Sequence, residues 1–202
     1  MKLYDYAVAP NPRRVRIFLA EKGVEVPTVQ VDIAKAENQA PAFRAKNPLG
    51  SLPVLELDDG RCLTESVAIC RYFEQLHPEP PLMGSDADER PWVEMWNRRM
   101  EIEVLFAIAQ TFRNTHAFFA GRIPQVPEWG EVCRGAALKR LKWLDEELAD
   151  RPFVAGDRYT IADITALAGI DFGRACDIRI DAGLKNLQRW HDAVSSRPSA
   201  KA

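Results

Sequence analysis

A proline-rich break divides this chain into two textures, and that division constrains the fold more than any other feature. His77-Pro78-Glu79-Pro80-Pro81-Leu82-Met83-Gly84-Ser85 carries three prolines and a glycine in nine residues. Proline lacks a donor N–H and restricts the residue before it, so neither helix nor sheet runs through such a stretch. Before the break, short strand-like and helix-like pieces alternate. After it, helix follows helix. The expected division is a domain over 1–79, a linker over 80–86 and an all-helical domain over 87–202.

In the first part, Lys2 to Tyr6 reads as a strand. Pro12 suits the first turn of a helix that carries Val15, Phe18 and Leu19 and stops at Gly23. Val29, Val31 and Ile33 alternate with Thr28, Gln30 and Asp32, which predicts a half-buried strand. A short helix over 41–46 follows. Leu52 to Leu57 then predicts a strand, Asp58-Asp59-Gly60 a turn, and Arg61 to Leu63 a second strand. Ile69, Tyr72, Phe73 and Leu76 form one stripe of a helix starting near Glu65. The order β-α-β-α-β-β-α is the thioredoxin-like arrangement of a βαβ and a ββα unit.

In the second part, Trp92, Met95, Trp96, Met100, Leu105, Ile108 and Phe112 predict one long helix over 88–119. Ala137, Leu141, Leu144 and Leu148 stripe another. Thr160-Ile161-Ala162-Asp163 has the spacing of a capping box, so Asp163 reads as a structural cap rather than an acid catalyst. Tyr159 and Ile164 suit the accompanying hydrophobic staple.

Composition excludes several functions. Formal net charge is -2. Ten basic against eleven acidic residues precede residue 85, and seventeen against eighteen follow it. Neither part is basic enough to favour nucleic acid or an anionic membrane. No run approaches the roughly 18 apolar residues of a membrane span. The N-terminus does not read as a signal peptide, so the expected location is cytoplasmic. Cys62, Cys70, Cys133 and Cys176 are scattered, without metal spacing, and read as packing residues with no metal expected.

Two blocks resemble one family. Asn47-Pro48-Leu49-Gly50-Ser51-Leu52-Pro53-Val54-Leu55, followed by Leu63-Thr64-Glu65-Ser66-Val67-Ala68-Ile69, is similar to the glutathione-binding signature of cytosolic glutathione transferases. Arg151-Pro152-Phe153-Val154-Ala155-Gly156-Asp157 with Thr160 to Asp163 resembles the family's C-terminal helix-start motif. The opening Ala9-Pro10-Asn11-Pro12-Arg13-Arg14-Val15-Arg16 is most similar to bacterial relatives of a fungal-type branch.

The resemblance implies a thioredoxin-like glutathione-binding domain joined to an all-α bundle. It implies a cis Leu52-Pro53 bond, which turns the Leu52 backbone outward to pair with the cysteinyl segment of glutathione. Glu65 and Ser66, at a helix start, suit the γ-glutamyl end: the carboxylate accepts from an ammonium, and the serine and helix N-terminus favour a carboxylate. Asn38 and Gln39 fall where the family often places polar residues near the glycyl end.

The thiol-activating residue departs from the family pattern. Aligned on Arg14-Val15-Arg16, the serine position falls on Ala9, which has no hydroxyl. The tyrosine position of other classes falls near Asp5 and Tyr6 without matching a tyrosine. Asn11 remains, beside a helix start whose partial positive charge stabilises a thiolate. His116 is the second candidate, as a neutral imidazole that holds a water or accepts the thiol proton. His77 and His191 read as structural. The implied electrophile site comprises Trp96, Met100, Phe106, Phe112 and His116. The function expected is conjugation of glutathione, as co-substrate, to small hydrophobic electrophiles by a homodimer. Two alternatives stay open: a glutathione-dependent disulfide reductase, and a non-catalytic binder of glutathione or hydrophobic ligands.

Overall fold

The sheet is built outward from its buried first strand, β1 (Lys2–Asp5). β1 runs parallel to β2 (Thr28–Gln30), with Leu3 opposite Thr28, and antiparallel to β3 (Val54–Glu56), with Leu3 opposite Leu55. β4 (Cys62–Thr64) pairs antiparallel with β3, giving the order β2-β1-β3-β4. A parallel neighbour requires a crossover, and α1 (Pro10–Glu21) supplies it. α2 (Pro41–Arg44) and α3 (Ser66–Leu76) complete the expected element order, with a short 3-10 turn at Glu37–Gln39. The structure is a computed structural model that describes residues 1–202.

Two local expectations are corrected. β2 is a three-residue edge strand whose side chains are all exposed. The apolar alternation continues past it, with Val31 buried and Ile33 partly buried on non-strand backbone. α1 starts at Pro10 rather than Pro12, because either proline satisfies the first turn, where no N–H is needed.

The chain forms two compact units, Met1–Pro81 with Lys201–Ala202, and Leu82–Ala200. Leu82, Met83 and Gly84, expected in the linker, are buried parts of the second unit. The Leu82 carbonyl accepts the Ile161 N–H at 2.9 Å. In the first unit, the fully buried Lys22 ammonium donates to the carbonyls of Pro78 and Pro80 and lies 2.6 Å from Glu74 Oε2. A proline-rich segment has carbonyls but few donors, so a buried cation is a suitable partner for it.

The second unit contains α4 (Glu89–Arg99), a π-helical segment (Met100–Phe106), α5 (Ala107–Thr115), α6 (Pro127–Glu147), α7 (Ile161–Phe172) and α8 (Lys185–Ser195). The expected long helix is therefore one rod with a π segment inside it. It ends at Thr115, before His116 leaves the helical backbone. α7 is its central helix, buried continuously from Ile161 to Ile170. A Cβ at Gly169 would stand 3.1 Å from Leu105 Cα, so glycine lets α7 touch the π segment backbone to backbone.

The capping box forms at α7. Asp163 Oδ2 accepts the Thr160 N–H at 2.9 Å, and Oδ1 accepts the Val154 N–H and Trp190 Nε1–H, each at 2.8 Å. Burial pushes the Asp163 carboxyl up to about 6, despite these donors. His191, expected to be structural, is buried with Nε2 2.9 Å from Asp171 Oδ1.

Candidate functional site

The β1–α1 loop is held by a polar network. Asp5, at the buried end of β1, accepts from Arg16 Nη1 at 2.5 Å and from Gln30 Nε2 at 2.7 Å. Arg16 Nη2 donates to the Ala7 carbonyl at 2.8 Å, and Gln30 Oε1 accepts the Ala7 N–H at 3.0 Å. Ala9 follows as the N-cap of α1, with no side-chain cap. Asn11 is exposed in the first turn, and Arg14 is buried beneath it. Arg14 Nη1 lies 3.3 Å from Asn11 Oδ1.

A second loop reaches β3. Asn47 organises it by donating from Nδ2 to the Ser51 carbonyl at 2.8 Å, while its Oδ1 accepts the Leu49 N–H at 3.1 Å. Gly50 takes φ +64°, and a Cβ there would meet Arg44, Asn38 and Gln39 atoms at 3.0 Å. The Leu52-Pro53 bond is cis, as expected. The β1–β3 ladder runs only as far as Tyr4 opposite Val54, so Leu52 lies beyond its end.

Asn38 is buried, and its amide nitrogen donates to the Gly50 carbonyl at 2.8 Å. That bond ties two loops together and uses one of the amide's two N–H donors. Gln39 is exposed and accepts from Arg44 Nη1 at 3.3 Å.

The N-terminus of α3 is open. Glu65 is its N-cap, with φ +67° and ψ 117°, and no side chain caps the helix. A non-glycine residue in that conformation costs about 1–3 kcal/mol and persists only where the surroundings hold it. Ser66 is the first helical residue and is buried. The uncapped first-turn N–H groups and the helix dipole favour negative charge there, beside an exposed carboxylate.

In the helical unit, the expected electrophile residues separate. Trp96 and Met100 correct the expectation, because both are core residues, 2% and 0% exposed. Trp96 stacks on Trp143 at 5.7 Å, and the Arg151 guanidinium lies 4.1 Å from its ring. Helical spacing cannot distinguish a pocket wall from a core face, and here the core took both. Phe106 is 56% exposed. Phe112 is half-buried in a cluster with His116 at 4.4 Å, Phe172 at 4.9 Å and Phe119 at 5.6 Å.

His116 Nδ1 accepts the Phe118 N–H at 3.0 Å, capping the turn Ala117–Phe119. A backbone N–H can only donate, so the neutral ring carries its proton on Nε2. This ring offers a donor outward; accepting a proton would require breaking the cap. A separate recess of about 260 Å³, lined by Ile170, Arg174, Ile178 and His191 among others, includes none of the residues expected at the electrophile site.

Sequence reasoning left Asn47, Arg16 and Gln30 without roles of their own and did not place Arg14 against Asn11. The available signal was Arg14 itself, a cation on the face of α1 that buries Val15 and Phe18. The four cysteines lie on β4, α3, α6 and the turn after α7, away from the start of α1 in sequence and element. No three His, Cys, Asp or Glu residues are grouped to hold a metal.

Known proteins resemble this chain over both of its units. The family model described as glutathione S-transferase, N-terminal domain, matches residues 3–81, and the corresponding C-terminal model matches residues 95–198. Glutathione S-transferase 2 of Saccharomyces cerevisiae is 38% identical over 208 residues, covering 100% of this chain and 88% of the relative. The crystal structure of Gtt2 from that yeast superposes with a TM-score of 0.95 at 37% identity, covering 100% of this chain and 99% of the other. A glutathione S-transferase domain-containing protein of Marinobacter aquaeolei VT8 also superposes at 0.95, with 40% identity, covering 98% and 99%. With both halves matched in order, the chain belongs to the glutathione S-transferase family.

Proposed function

We propose that this protein conjugates glutathione to small hydrophobic electrophiles. The observation that carries the proposal is the open N-terminus of α3, where a strained Glu65 and a buried Ser66 stand without a cap. The γ-glutamyl end has an ammonium and a carboxylate on one carbon. Glu65 takes the ammonium, and the Ser66 hydroxyl and N–H take the carboxylate. Leu52, past the ladder's end beside Pro53, pairs its backbone with the cysteinyl segment. Gln39 serves the glycyl end. The sulfur is ionised beside Asn11.

The helical unit supplies the apolar side chains for the electrophile, Phe106 and Phe112. His116 contributes Nε2–H as a donor that holds a water, consistent with its engaged Nδ1. Attack by the thiolate forms the carbon–sulfur bond and expels the electrophile's leaving group. The protein works as a homodimer in the cytoplasm, with neither metal nor nucleic acid.

Conjugation is preferred over disulfide reduction because the start of α1 offers Asn11 and no cysteine to form a mixed disulfide there. Turnover should be measured with an aryl halide and, separately, with a mixed glutathione disulfide. Conjugate formation with the aryl halide is the expected result. Disulfide turnover alone would select the reductase reading, and glutathione binding without either turnover would select the binder.

A further inference from the structure

We propose that Arg14 is a positioning residue for thiol activation: it holds the Asn11 amide with oxygen inward, so that Nδ2–H₂ is presented at the start of α1. The inference rests on the reading above that the glutathione sulfur is ionised beside Asn11.

The start of α1 is poor in donors. Pro10 and Pro12 have no N–H. The Ala9 N–H already bonds the Tyr6 carbonyl at 2.9 Å, and the Arg13 N–H bonds the Ala9 carbonyl at 3.3 Å. Among the first-turn groups only the Asn11 backbone N–H is left, where an ordinary helix start presents several. Ala9, Pro10 and Pro12 carry no side-chain donor, so among residues 9–12 only the Asn11 side chain has one.

An amide is useful there in only one orientation. Its oxygen and nitrogen ends have nearly the same shape, yet the oxygen repels a thiolate and the nitrogen stabilises it. Arg14 removes the ambiguity. A guanidinium only donates and stays charged, so it accepts nothing but the oxygen end as its neighbour. Its Nη1 stands 3.3 Å from Asn11 Oδ1, across the i,i+3 spacing that brings helix side chains together. Arg14 is itself 2% exposed, so its position is set by packing rather than by solvent. On α3, the charges of Arg14 and Glu74 are both felt by the buried Cys70 thiol, and Glu74 is paired with Lys22. Arg14 thus sits in a fixed buried environment while the side chain it orients reaches the surface.

The test is the pKa of glutathione bound to the full-length protein, read from ultraviolet thiolate absorbance against pH. Asn11→Ala and Arg14→Met should each raise it by about one unit, the worth of one hydrogen bond to an ionised group. The double variant should rise no further than either single one. Arg14→Lys keeps the charge but ends one atom short of Nη1. It should raise the pKa in the native background and leave it unchanged in the Asn11→Ala background, and it carries the test if Arg14→Met does not fold. Additive rises would overturn the proposal, since Arg14 would then act on the sulfur by charge alone. Unmoved Arg14 variants beside a raised Asn11→Ala would also overturn it and leave the functional reading standing. An unmoved Asn11→Ala would overturn that reading and this inference with it.

Discussion

Two helix starts in this protein have similar sequences and opposite states. Leu63-Thr64-Glu65-Ser66 opens α3, and Tyr159-Thr160-Ile161-Ala162-Asp163 opens α7. Each has a threonine and a carboxylate within a few residues. At α7 the carboxylate is saturated: Asp163 is 0% exposed and accepts from Val154, Thr160 and Trp190. At α3 no side chain caps the helix, Glu65 is exposed, and its backbone is held at φ +67°. A saturated helix end contributes its interactions to folding. An open and strained one leaves them available to a ligand. Threonine and carboxylate stand three residues apart at α7, the capping-box spacing, but adjacent at α3, so only the α7 start closes itself.

The comparison can be broken most strongly at α7. Asp163→Ala would strand the Val154 N–H, the Thr160 N–H and the Trp190 indole N–H inside the core. Each buried unpaired donor costs about 1–3 kcal/mol, so a loss of at least ~3 kcal/mol is expected in denaturant unfolding. Glutathione affinity of the folded fraction should not change. A loss below 1 kcal/mol would show that the α7 start is not the structural member of the pair.

The next effect is a pH dependence confined to the same group. The folded-state pKa of Asp163 lies near 6, above the usual 3.8. The folded state therefore binds this proton more tightly than the unfolded chain does, and stability falls as pH rises between those two values. Relative to Asp163→Asn, which cannot titrate, the native protein should lose on the order of 2 kcal/mol between pH 4 and pH 7. Parallel stability curves for the two proteins would contradict this.

The smallest effect sharpens the comparison from the α3 side. Ser66→Ala should weaken glutathione binding about tenfold by calorimetry, the loss of one hydrogen bond to a carboxylate. Thermal stability should stay within about 0.5 kcal/mol, because no cap is removed. If instead stability falls and affinity holds, the α3 start is a structural cap like α7.

The expected element order and the capping box are both present, because each rests on a local rule; the cis Leu52-Pro53 bond is present too, but it was expected from the family resemblance. Proline fixes its own backbone, glycine terminates helices, and a threonine three residues before an acid closes a helix start whatever surrounds it. The Glu65-Ser66 position was legible for the same reason. Its openness was not, since the sequence cannot say whether a buried donor will arrive from elsewhere, as Trp190 and Val154 do at Asp163.

What the tertiary structure alone decided were the questions of burial and partnership. Trp96 and Met100 share helical spacing with Phe112, but packing against neighbouring helices placed the first two in the core and left Phe112 half-buried. Asn38 and Gln39 are adjacent loop amides in the sequence. Only the approach of Gly50 engaged one and left the other exposed. For His116, a backbone N–H two residues on engages Nδ1 and so decides which nitrogen of the neutral ring carries the proton. Arg14 gained its role from a contact one helical turn away and from burial against α3. Local sequence determines the shape of a segment through its own torsions and short-range hydrogen bonds. Which of its groups remain free for chemistry depends on partners brought from far along the chain.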